Sequence, residues 1–126
     1  MKRLFIASSM LAALAITIVA FTAHAKAEAK NNERATVEFT QTVKLLDVVL
    51  RGEYLVVHDD ERMAKGDACT YIYDKAGKLV VSFHCTPAER PKSDRFRVVT
   101  RRLDPNGLSE IIEIQFAGTT KAHVVQ

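Results

Sequence analysis

From Thr36 to the C-terminus, apolar and polar positions alternate in short runs and do not recur at helical spacing. Val37 to Leu46 alternates in part, through Val37, Phe39, Val43 and Leu45, and Val48 to Leu50 follows until Arg51-Gly52 interrupts it. Glu53 to His58 is rich in residues that favour extended backbone. Cys69 to Tyr73 and Lys78 to Cys85 flank Asp74-Lys75-Ala76-Gly77, which predicts a β-hairpin. Thr86 to Ser93 carries Pro87 and Pro91, which lack the N–H a central strand needs, so it reads as a long connection. Arg95 to Leu103 puts Phe96 and Val98 on one face and Arg95, Arg97 and Val99 on the other. After the Asp104-Pro105-Asn106-Gly107 turn, Glu110 to Phe116 puts Ile112, Ile114 and Phe116 on one face and Ile111, Glu113 and Gln115 on the other. Gly118 precedes a last run, Ala122 to Val125. Asp59 to Asp67 is charged and ends in a Gly66-Asp67 turn, and no segment beyond Ala25 shows a helical period. About seven short strands predict an all-β domain over residues 36–126, a single small antiparallel β-sandwich or barrel.

The N-terminus is patterned differently. Met1-Lys2-Arg3, the apolar run from Leu4 to Phe21 and Ala23-His24-Ala25 are the basic start, hydrophobic centre and small-x-small site of a secretory signal peptide. The expectation is a helical signal peptide over 1–25, cleaved after Ala25, then a flexible leader over 26–35. Cleavage leaves 101 residues, enough for one small domain, and no stable membrane span. It also takes away Lys2 and Arg3, so the net charge falls from +3 to +1. A nearly neutral periplasmic or secreted chain gives no electrostatic case for nucleic acid as a partner.

That compartment bears on Cys69 and Cys85, the two cysteines of the chain. Outside the cytoplasm such a pair favours a disulfide. Geometry leaves the pairing open. A turn centred on Gly77 sets Cys69 opposite Cys85, one centred on Ala76 makes the pair diagonal, and one centred between Lys75 and Ala76 puts them on opposite faces.

Val49-Leu50-Arg51-Gly52-Glu53-Tyr54 resembles a V-L-x-x-G-x-Y element, one position shorter here. With Tyr71 to Asp74, Gly77 and Lys78-Leu79-Val80 following, the order of elements is similar to that of small secreted bacterial β-sandwich proteins of uncharacterised function. The resemblance implies a secreted sandwich-like domain and no catalytic activity. It does not extend to Cys69, His84 or Cys85.

Among candidate chemistries, metal binding is the sharpest. His58, His84 and His123, with Cys69, Cys85 and Met63, are ligand types that suit copper or zinc. The chain lacks the Cys-x-x-Cys and His-x-x-x-His spacings, and consecutive His84 and Cys85 in a strand point to opposite faces. Asp59-Asp60-Glu61 offers hard oxygens for calcium but reads more simply as a solvated loop. Arg90, Lys92, Arg95, Arg97, Arg101 and Arg102 form a basic run in which Arg95, Arg97 and Arg101 share a face. Such a face could hold an acidic polymer, or pair across strands with Glu113 and other acids. No nucleophile elbow, phosphate loop or dinucleotide fingerprint is present. The leading expectation is a non-catalytic interaction or cell-envelope module without a cofactor, its partner a protein or envelope component. The alternative is a periplasmic copper- or zinc-binding protein using His58, His84 or His123, and behind it stands an enzyme with a site on its loops.

Overall fold

The computed structural model describes residues 32–126, so the expected signal peptide and residues 26–31 of the leader lie outside the described residues. The described chain is all-β. Its strands are β1 (Asn32–Leu45), β2 (Val48–Asp59), β3 (Thr70–Tyr73), β4 (Leu79–Phe83), β5 (Cys85–Glu89), β6 (Arg97–Arg102), β7 (Ser109–Gln115) and β8 (Lys121–Val125). They form one sheet in the order β4-β3-β2-β1-β7-β8-β5, with β6 on β7. All pairings are antiparallel except a short parallel contact of Val43 and Lys44 with Ser109 and Glu110. The two ends of this order, β4 and β5, are separated in the chain by His84 alone, so the sheet nearly closes on itself as a barrel.

The core follows from alternation. Leu50, Val56, Ile72, Phe83, Ile114 and Phe116 are buried and pack with Val37, Phe39 and Val98. β2 runs straight through Gly52, where a break was expected. Gly52 has φ +98°, which a residue with a Cβ rarely adopts, and it lies opposite Phe39, where β1 bulges through Thr40 to Thr42. β1 also starts at Asn32, so Asn32 to Ala35 belong to the strand and not to a leader. Asn32, Glu33 and Arg34 break the apolar alternation, which hid a register in which Asn32 to Ala35 pair with Asp59 to Val56.

Three further differences have local causes. A one-turn helix, α1 (Asp60–Ala64), follows β2 because the Asp59 carboxylate caps it, accepting from the N–H groups of Glu61 and Arg62. α1 covers the outside of β3, with the Arg62 guanidinium 4.6 Å from the centre of the Tyr71 ring. Thr86–Glu89, expected in a connection, belongs to a strand with Cys85 despite Pro87, because β5 is a terminal strand that pairs with β8 alone. In β7, Val99 pairs with Glu113 but Thr100 with Ile111, so Ile112 is an extra residue. This bulge moves Ile111 into the core with Ile114 and Phe116, and brings Glu110 onto the face of Glu113 and Gln115.

Candidate functional site

Strand register assembles a polar row inside the barrel. Glu33 of β1 lies opposite His58 of β2, His58 opposite Thr70 of β3, and Thr70 opposite Phe83 of β4. These neighbours share the inner face, since side chains alternate along each strand and cross-strand partners point the same way. β8 supplies His123 from the other side, where it pairs with Pro87 and Ile114. The two imidazoles stack with centroids 3.9 Å apart and planes 26° apart. Phe116 stands behind both rings, at 6.5 Å from His58 and 6.0 Å from His123. His58 is 1% exposed and His123 2%.

Each ring nitrogen has a distinct environment. His58 Nε2 is 2.7 Å from Asp60 Oδ1, so the N–H lies there and donates to the carboxylate. That fixes Nδ1 as the unprotonated nitrogen, and it faces the Thr70 hydroxyl at 3.4 Å. A carboxylate holding the far nitrogen of a histidine is the usual support of a metal-ligating imidazole. Burial pushes the His58 pKa below its ordinary value, as does the neighbouring His123, against the opposing pull of Asp60. His123 Nδ1 is 3.9 Å from Cys85 Sγ. His123 Nε2 is buried without a hydrogen-bond partner among the described residues and lies 3.5 Å from Glu33 Oε1.

Cys69 and Cys85 form a disulfide beside this row, with Cα atoms 6.1 Å apart. The hairpin closes with Tyr73 opposite Leu79, which centres its turn on Ala76, one of the three anticipated centres, but a bulge between Ile72 and Tyr73 then shifts the register by one residue. Thr70 pairs with Phe83, a register that, continued straight, would set Cys69 opposite His84. Cys85 shares the inward face of Phe83 two residues earlier, and the chain bends at Cys69, just before β3, so that the buried Cys69 side chain meets Cys85 there. His84, the residue between β4 and β5, points outward and lies 3.3 Å from the Gly66 carbonyl, away from the other two histidines.

Ligand atoms of Glu33, His58 and His123 lie within 4.8 Å of one another, and so do those of His58, Cys69 and Cys85. Of the three histidines singled out in the sequence, the structure brings together His58 and His123 and leaves His84 apart. Sequence reasoning missed Glu33, hidden in the supposed leader, and read Asp60 as part of a solvated acidic loop or a calcium ligand, where the structure makes it the partner of His58.

The acids of 59–61 are used locally. Asp59 caps α1 and Asp60 holds His58. Half of the basic run is paired: Arg90 and Arg97 both bind Glu113 at 2.7 Å, and Arg101 binds Glu110. A groove of about 600 Å³ opens between β1 and β6, lined by Thr36 to Val43 on one side and Phe96, Val98 and Thr100 on the other. No helix among the described residues is long and apolar enough to cross a membrane. The chain matches no protein-family model, no curated protein and no solved structure, so its function is read from these residues alone.

Proposed function

We propose that this is a small secreted or periplasmic binding protein, without turnover, that takes one transition-metal ion, copper or zinc, at Glu33, His58 and His123. The signal-peptide pattern of residues 1–25 supports the compartment, and so does the Cys69–Cys85 pair. The observation that carries the reading is the buried, unpartnered Nε2 of His123, facing a carboxylate and a second imidazole. A buried nitrogen left without a partner costs about 1–3 kcal/mol, and a metal bond would remove that cost. Two imidazoles and a carboxylate suit zinc or divalent copper. Bonds of about 2.0–2.1 Å require the three groups to draw inward. Glu33 has room to follow, since it is part-exposed at the end of β1.

Metal analysis of protein purified from its native compartment without an affinity tag tests this reading. One copper or zinc per chain, lost in His123→Leu, is the expected result. A metal-free protein that also ignores added copper and zinc would overturn it.

A second reading is favoured by the groove between β1 and β6. Both strands line it and neither pairs with the other, so their facing edges suit an extended segment of a partner protein, added as a strand. A photo-crosslinker at Val98 should then capture a partner that one at Glu89 does not. Equal capture at both positions would remove this reading.

A further inference from the structure

The disulfide lies against the same imidazoles. Thr70 Oγ1 contacts Cys69 Sγ at 3.2 Å and His58 Nδ1 at 3.4 Å, so sulfur and nitrogen flank one hydroxyl. Cys85 Sγ lies 3.9 Å from His123 Nδ1. Both sulfurs and a His58 nitrogen fall within 4.8 Å of one another. Cys69 is fully buried and Cys85 is 8% exposed. As a disulfide these sulfurs are poor ligands, whereas as thiolates they are strong ones.

Building on the metal-binding reading above, we propose that reduction of Cys69–Cys85 converts the cluster into a zinc site made of two thiolates and the imidazoles of His58 and His123. The reductant is a dithiol. Its two electrons break the S–S bond, its two protons pass to the sulfurs of Cys69 and Cys85, and it leaves as a disulfide. Zinc then displaces both thiol protons to solvent and bonds the two thiolates. Charge selects the ion: two thiolates and two neutral imidazoles cancel a divalent cation, so the buried site carries no net charge. Two sulfurs and two nitrogens also make the tetrahedral set that zinc prefers. Glu33 belongs to the oxidised set alone and the cysteines to the reduced set alone, so substitution separates the two states.

The test is zinc titration against a chromophoric chelator, with the protein disulfide-bonded or reduced by a phosphine. Reduction should tighten zinc binding at least ~100-fold, with one ion per chain. Cys69→Ala should lose that gain, and Glu33→Gln should keep it while weakening the oxidised site. Zinc should also shield both thiols of the reduced wild-type protein from alkylation, a readout that needs no variant to fold. Affinity unchanged by reduction, or thiols alkylated equally fast with and without zinc, overturns the proposal. Absence of zinc binding by the oxidised protein alone overturns the Glu33 reading and leaves this one standing.

Discussion

Glu113 and His123 are both buried polar side chains, on the adjacent strands β7 and β8, and their surroundings differ. Glu113 accepts from Arg90 Nε at 2.9 Å, from Arg90 Nη2 at 2.7 Å and from Arg97 Nη2 at 2.7 Å. Arg97 Nε in turn donates to Gln115 Oε1, and Gln115 Nε2 donates to the carbonyls of Pro91 and Thr119. The carboxylate and the amide are fully hydrogen-bonded, as buried polar groups in a structural role should be. His123 has a thiol-derived sulfur at 3.9 Å, a stacked imidazole at 3.9 Å, a carboxylate at 3.5 Å and an Nε2 without a hydrogen bond. A completed network has its energetic reason in the fold. An incomplete one among ligand-type residues calls for a reason outside it, and a bound ion supplies one.

The contrast predicts unequal responses to substitution. Glu113→Gln should have the largest effect, about 2–3 kcal/mol of stability in urea unfolding, because it leaves two guanidinium groups without their carboxylate. A loss under ~0.5 kcal/mol would show that the Glu113 cluster is not structural. Gln115→Met should cost about 2 kcal/mol, since the Pro91 and Thr119 carbonyls and Arg97 Nε each lose a partner.

Acid should act through the same cluster. The paired arginines hold the Glu113 pKa below its ordinary value. A depressed carboxylate pKa contributes stability above the unfolded-state value, near 4.5, and that stability is lost as pH falls through the lower folded value. Wild-type protein should therefore lose more stability than Glu113→Gln below about pH 4.5, as read from thermal unfolding. Parallel acid profiles would contradict the pairing. The smallest effect belongs to the other cluster. His123→Leu should unfold within about 1 kcal/mol of wild type, since it removes a nitrogen that makes no hydrogen bond among the described residues. Destabilisation as large as that of Gln115→Met would mark His123 as a structural residue.

The sequence carried the alternation that makes the barrel, and most strands stand where Val, Ile, Tyr and Phe recur at every second position. It carried the pairing of Arg97 with Glu113 across the Asp104–Gly107 turn as well. What it concealed were the irregularities. The extra Ile112 reverses which isoleucines face the core, and no residue type announces it. Pro87 argued against a strand, and only the terminal position of β5 makes it acceptable. The site depended on these features. His58 was visible as a candidate, but Glu33 joined it through the register of β1, and the disulfide through the bend at Cys69. Local patterning identifies the residue types of such a cluster, whereas pairing between distant strands decides which of them meet.

The central claim is that the unpartnered nitrogen of His123 is a metal ligand. Electron paramagnetic resonance of the disulfide-bonded protein loaded with one equivalent of divalent copper tests it most directly. Wild-type protein should show couplings from two imidazole nitrogens, and His123→Leu should show one, with its circular dichroism unchanged. Identical spectra from the two proteins, or free aqueous copper in both, would contradict the account.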